Sequence, residues 1–363
     1  MHFFVVLTTG CNLRCRYCYG ECCDCFAENI EYNEVPENII YSVNDLKKFI
    51  EKDKNPVIIL YGGEPLLKPE KIREIMDSIN AEFMLQTNGL ELKKLGKYVN
   101  KLHNIMFSID GDEKTTDYYR GRGTCKKIME SMKWARKQGF KKEILARMTV
   151  MEKTDICKQA KFLLKKFDSV HWQLNVMFWN DYEKRKEKLK KWIEKSYNPG
   201  IKKLLDFWIR NMKKGRVLKI YPFLGLTSSF LKNEKALLRC GAGWAQYAVL
   251  TDGSISACPV ISGLKGMTAG NIFDSSPDEL KKIYVKEPCT KCGIYEECGG
   301  RCLYANTLRL WNDEGYSLVC STVKFLIENL KQKLPEIKEL IKTGKISMKD
   351  FDYDRFNSCE IIP

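Results

Sequence analysis

The sequence predicts an α/β protein built on a parallel sheet. Short apolar runs alternate with amphipathic stretches through the first half of the chain, and the runs end in glycine or polar clusters. Residues 3–7 read as a buried strand, followed by strands at 57–61, 83–86, 105–109, 144–150 and 170–176. Helices are expected between them, at 43–51, 69–79, 125–138 and 156–166. The first four strands end in Thr8-Thr9-Gly10, Gly62-Gly63-Glu64, Thr87-Asn88-Gly89 and Asp110-Gly111. Parallel α/β folds bind ligands at the carboxyl ends of their strands, so these four loops should line one mouth. Residues 179–214 turn helical and basic, and 240–320 become loop-rich, with a hairpin turn at Thr251-Asp252-Gly253-Ser254. Residues 322–342 read as one long amphipathic helix.

At 363 residues, with 44% hydrophobic and 29% charged side chains, the chain is long enough for a substantial core. No apolar run reaches the ~18 residues that a membrane span needs, and residues 3–7 are too short for a signal-peptide core. A cytoplasmic protein is therefore expected. Its sixteen cysteines are then an anomaly, because a reducing compartment disfavours disulfides. Metal or cluster ligation is the better use for them. With only His2, His103 and His171, the chain is short of material for a zinc hydrolase or a histidine acid–base enzyme. The net charge of +15 lies partly in runs with interleaved acids, such as residues 183–192, which read as solvated helix faces. No RNA-binding module accompanies it, so nucleic acid is not expected as a partner.

Cys11-Asn12-Leu13-Arg14-Cys15-Arg16-Tyr17-Cys18 follows the first strand directly. A [4Fe–4S] cluster normally takes four cysteines; three leave one iron open, and open positions are where metal sites do chemistry. A zinc knuckle would want paired Cys-x2-Cys elements or nearby histidines, and none is in place. This octapeptide resembles the hallmark of the radical SAM superfamily. The resemblance implies that Cys11, Cys15 and Cys18 hold a [4Fe–4S] cluster whose open iron binds S-adenosylmethionine (SAM). One-electron cleavage then yields a 5′-deoxyadenosyl radical that abstracts hydrogen from substrate. It also implies a partial (β/α)6 TIM-like barrel. Tyr17 matches the position that packs near the adenine. Gly62-Gly63-Glu64-Pro65 resembles the family's motif for the SAM amino group, with glycines allowing close backbone approach and a carboxylate facing an ammonium. Ser108 and Asp110 fall in the fourth-strand motif, and Thr87 and Asn88 border the expected pocket. Arg120, Arg122 or Arg147 would pair with the SAM carboxylate. For each polar residue a capping or turn role is the alternative.

A second pattern runs Cys240, Gly253, Cys258, then Cys289-x2-Cys292-x5-Cys298-x3-Cys302-x17-Cys320. It resembles the SPASM extension of radical SAM enzymes, which houses up to two auxiliary [4Fe–4S] clusters. Carried over, Cys289, Cys292, Cys298 and Cys320 would hold one cluster, and Cys240, Cys258 and Cys302 the other, one ligand short. Zinc is the alternative for Cys289, Cys292, Cys298 and Cys302. Sulfatase-maturing members place an acidic residue after the cysteine matching Cys258, whereas this chain has Pro259. Cys22, Cys23 and Cys25 read as reduced thiols packed beside the first loop, the alternative being a solvent-facing thiol pair or an alternate cluster ligand, and Cys125, Cys157 and Cys359 as small apolar residues.

The resemblance divides the chain into a radical SAM catalytic domain at 1–180, a helical bridging segment at 181–239, a SPASM domain at 240–322 and a C-terminal helix and tail at 323–363. A ribosomally made peptide or protein side chain is the expected substrate, and ferredoxin or flavodoxin the electron donor. A basic protein suits an acidic leader. With the first strand at residue 3, leader recognition would fall to a separate leader-peptide-binding protein or to the basic helices. The competing expectations are a small-molecule metabolite such as a porphyrin, or a non-catalytic iron–sulfur electron-transfer protein.

Overall fold

The structure is a computed structural model that describes residues 1–18 and 33–357. Cys22, Cys23, Cys25 and Cys359 lie outside the described residues. The chain forms two compact units, one comprising Met1–Ile109, Glu113–Leu145 and Gly241–Tyr284, the other Asp110–Asp112, Ala146–Cys240 and Val285–Pro363.

The first unit is organised by β1 (His2–Val6), β2 (Val57–Tyr61), β3 (Glu82–Thr87) and β4 (Leu102–Ser108). β1 pairs with β2, β2 with β3 and β3 with β4, all parallel, with His2 opposite Val57 and Val57 opposite Glu82. Phe3, Phe4, Val5, Ile58, Ile59 and Leu60 are fully buried. Burial on both faces explains the near-continuous apolar runs, since helices cover each side of a parallel sheet. One such helix is Val43–Ile50, whose N-cap Ser42 accepts from the Asp45 N–H.

β4 starts at Leu102, earlier than the expected 105, because two polar residues find partners inside the sheet. The Asn104 amide contacts Met84 Sδ at 3.6 Å, and His103 Nδ1 lies 3.0 Å from Glu82. β5 (Glu143–Val150) carries the chain into the second unit, where β6 (Ser169–Leu174) pairs in parallel with β7 (Lys219–Ile220). β8 (Gln246–Val249), β9 (Ser254–Ser256) and β10 (Thr268–Asn271) return to the first unit. β8 lies parallel to β1 on the side away from β2, then β9 and β10 continue antiparallel. The expected turn joins β8 to β9, with Asp252 Oδ1 accepting from the Ser254 N–H at 2.9 Å.

The second unit is mostly helical around an aromatic core. Trp172 and Trp208 both meet Phe223, and Trp208 also meets Phe351. Its long helix is Asp313–Lys342, which starts earlier than the expected residue 322. Asn312 caps it through the Gly315 N–H at 2.9 Å, so Cys320 sits on a helix and not in a loop. Among the described residues no helix is long and apolar enough to cross a membrane.

Candidate active site

The loops after β1 and β2 interlock through their backbones. The Gly63 N–H donates to the Thr8 carbonyl and the Glu64 N–H to the Gly10 carbonyl, each at 2.9 Å. A Cβ at Gly62 would sit 2.3 Å from the Thr8 carbonyl oxygen, and one at Gly63 2.4 Å from the Thr9 and Gly10 oxygens. Gly62 also holds φ +147. The two glycines thus let the second loop lie directly on the segment that leads into Cys11.

Glu64 knits the second loop to the third. Its side chain is 1% exposed, and its carboxylate accepts from the Leu66 N–H at 3.0 Å, the Thr87 hydroxyl at 2.7 Å and the Asn88 N–H at 2.7 Å. Burial raises its pKa to about 7 against the lowering effect of those three donors. Asn88 extends the network to the cysteine loop. Its amide donates to Asn12 Oδ1 at 2.7 Å and approaches Cys11 Sγ at 3.9 Å.

Cys11 keeps exposed surface, yet desolvation of its sulfur raises the thiol pKa, opposed by the Leu13 N–H and the Asn88 amide. Cys15 and Cys18 are half-buried, joined by a turn in which the Cys18 N–H donates to the Cys15 carbonyl at 2.9 Å. The helix Glu113–Arg120 supports this loop. The Arg16 N–H donates to the Tyr119 carbonyl, the Tyr17 ring lies 5.5 Å from that of Tyr119, and the Arg120 guanidinium stands 5.4 Å from the Tyr17 ring.

The first unit therefore brings together Cys11, Cys15, Tyr17, Cys18, Gly62, Gly63, Glu64, Pro65, Thr87, Asn88 and Arg120, with Ser108 closing β4. Arg122 is exposed. Asp110 and Arg147 belong to the second unit. There Asp110 Oδ1 accepts from the Thr149 N–H at 2.9 Å, and Arg147 donates to Gln173 Oε1 at 3.3 Å.

The second unit carries its own cysteine cavity, of about 360 Å³, lined by Cys289, Cys292, Cys298, Cys302 and Cys320. Cys302, which the resemblance assigns to a different cluster, shares this lining. Cys240 is buried in the same unit; Cys258 lies in the first, its Sγ accepting from the Val260 N–H at 3.5 Å. Asn306 donates to Cys289 Sγ at 3.5 Å, and the Tyr316 hydroxyl lies 3.8 Å from the same sulfur. Burial pushes the thiols of Cys289 and Cys320 up, and that of Cys298 to about 11.

Among the described residues no three Cys, His, Asp or Glu side chains converge tightly enough to hold a single metal ion. An iron–sulfur cluster engages each thiolate through a different iron, so its ligands ring a cavity instead. The donor set is all sulfur, and the cavity suits such a cluster. Asn12, Arg301, Asn306 and Tyr316 were not among the expected site residues. Two of them carried a sequence signal: Asn12 lies inside Cys11-Asn12-Leu13-Arg14-Cys15, and Arg301 inside Cys298-Gly299-Gly300-Arg301-Cys302.

A parallel α/β unit with three thiols on its first strand-end loop is the arrangement expected of iron–sulfur enzymes that work by radicals. Residues 5–161 match the Radical SAM superfamily model. A cysteine-type anaerobic sulfatase-maturating enzyme of Clostridium novyi (strain NT) is 24% identical, covering 92% of this chain and 96% of that protein. The radical SAM cyclopropyl synthase TigE of Paramaledivibacter caminithermalis is 22% identical over 91% of this chain and 73% of its own length. Among solved structures, native anSMEcpe with bound AdoMet aligns with a TM-score of 0.70 at 21% identity, covering 94% of this chain and all of that one. That likeness bears out the α/β fold with its parallel-strand sheet. Residues 5–161 carry a radical SAM domain, and the chain is an enzyme. A radical SAM domain implies a [4Fe–4S] cluster and SAM as cofactors.

Proposed function

We propose that this enzyme abstracts hydrogen from a side chain of a peptide or protein substrate. The similarity to sulfatase-maturating enzymes over nearly the whole of both chains carries this reading. A structure of native anSMEcpe with bound AdoMet and Kp18Cys peptide aligns with a TM-score of 0.70 over 93% of this chain. When bound, the cluster and SAM supply one-electron sulfonium cleavage and a carbon radical. The chain's own residues hold and enclose that chemistry. Cys11, Cys15 and Cys18 ligate, the Gly62–Gly63 backbone seats the ligand loop, and Tyr17 with Arg120 forms a flat cationic wall beside it. Pro259 leaves no carboxylate directly after Cys258 to take a substrate proton, unlike the sulfatase-maturing group.

In the second unit, Lys158, Lys161, Lys165, Lys195 and Lys203 line a cavity of about 560 Å³ with Asp155 as its carboxylate. An acidic stretch of the peptide is the partner such a surface attracts. Electrons would come from a ferredoxin or flavodoxin. Two auxiliary clusters, on the seven later cysteines, complete the proposed cofactor set.

Anaerobic reconstitution followed by iron counting and assay for 5′-deoxyadenosine tests the proposal. Roughly twelve irons per chain are expected if three clusters form. Incubation with candidate peptides should give a SAM-dependent mass change. Steady SAM cleavage stimulated only by a small metabolite would overturn the peptide reading.

A further inference from the structure

Arg301 lines the cysteine cavity of the second unit with only 7% of its surface exposed. Its Nε and Nη2 meet no hydrogen-bond partner. A guanidinium stays charged at any pH a protein experiences, so a buried one without partners is strongly unfavourable unless negative charge sits beside it. The chain around it is built to hold it there. Gly299, Gly300 and Arg301 all have left-handed backbones, with φ of 72, 91 and 48. A Cβ at Gly299 would lie 1.8 Å from the Leu237 carbonyl oxygen, and one at Gly300 2.6 Å from the Val285 side chain. A non-glycine residue with positive φ persists only where its surroundings over-determine it. The same turn aims the N–H groups of Gly300 and Arg301 at Cys298 Sγ. Successive N–H groups in such a turn form an anion-binding concavity.

We infer that Arg301 is a positioning residue that sets the reduction potential of the cluster held by Cys289, Cys292, Cys298 and Cys320, its guanidinium serving as fixed counter-charge. The inference rests on the reading of these cysteines as cluster ligands. Reduction adds one negative charge to the cluster, and a buried cation stabilises that form more than the oxidised one. Arg301 therefore raises the potential and favours this cluster as an electron acceptor. Lys324 lines the same cavity but is exposed, so solvent screens it and it contributes far less.

The experiment uses full-length chain carrying Cys11→Ala, Cys15→Ala and Cys18→Ala, so that the SAM-binding cluster does not overlap the signal. Reductive titration followed by electron paramagnetic resonance is run on this parent and on its Arg301→Gln, Arg301→Lys and Lys324→Gln derivatives, with iron and sulfide measured on each. A lower midpoint potential in Arg301→Gln is expected, with most of the parent value kept by Arg301→Lys and Lys324→Gln. Equal potentials in the parent and Arg301→Gln at equal iron content would overturn the inference. Iron lost from Arg301→Gln but kept in Arg301→Lys supports the counter-charge role; iron lost from both makes Arg301 a scaffold residue and overturns it. A parent without iron instead removes the cluster reading itself.

Discussion

The amide of Asn88 reaches two residues of the cysteine loop at once, Asn12 Oδ1 at 2.7 Å and Cys11 Sγ at 3.9 Å. Its own N–H is held by Glu64, so a buried carboxylate under the β2 loop sets the position of a sulfur after β1. Asn88→Ala removes the side-chain link without touching the three thiols. Residues that orient ligands typically change metal affinity or activity by 10–100-fold when lost. Iron retention under chelator challenge and the rate of 5′-deoxyadenosine formation should both fall by about 10-fold.

Glu64 gives the fold a pH dependence of definite sign. Its pKa rises from 4.5 unfolded to about 7 folded, so between those values the folded chain binds more protons than the unfolded one. Stability is then full below the unfolded value and declines as pH rises through about 7, by at most about 3 kcal/mol. Denaturant midpoints measured from pH 4.5 to 7.5 should show this decline, and Glu64→Gln should flatten it. The variant should also lose about 1–3 kcal/mol overall, because an amide nitrogen would face donors.

Gly63→Ala tests the interlocked loops. The added methyl meets two carbonyl oxygens at 2.4 Å, and both belong to backbone. Overpacking of this kind costs about 1–3 kcal/mol. SAM binding, followed by equilibrium dialysis, should weaken more than global stability does.

Cysteine variants should separate the two metal regions. With Cys11, Cys15 and Cys18 changed to alanine, iron should fall by about a third and 5′-deoxyadenosine should vanish. Cys292→Ala and Cys298→Ala together should also lower iron, yet leave SAM cleavage measurable.

The lysine-lined cavity predicts a salt-sensitive interaction. Changing Lys161, Lys195 and Lys203 to glutamate should weaken binding of a glutamate-rich peptide by about 10-fold or more at low salt. The difference should shrink as salt rises in a fluorescence anisotropy titration. Unchanged affinity would move leader recognition to another surface or another protein.

Much of the first unit was legible because its strands are buried on both faces. β2 falls on the expected residues 57–61, and the polar ends of the first three strands are joined by hydrogen bonds, whereas Asp110-Gly111 belongs to the second unit. β4 was misplaced at its start because His103 and Asn104 look like loop residues until Glu82 and Met84 are beside them. The long helix starts earlier than expected because Asn312 caps it through the Gly315 N–H. At the site, cysteine spacing marked the candidate ligands. Their partners were harder to see: Asn306 and Tyr316 matter through contacts that join distant parts of the sequence, and Asn12, though inside the first cysteine motif, matters through its contact with Asn88.

Cys320 sits near the start of a thirty-residue helix, and as the cluster ligand proposed above it would tie metal supply to chain survival. A sulfur bound to iron would pin that helix to the Cys289–Cys298 segment and add binding free energy to folding. Starved of iron, a cell would hold a version of this enzyme whose final third opens more readily, and proteases would clear it first.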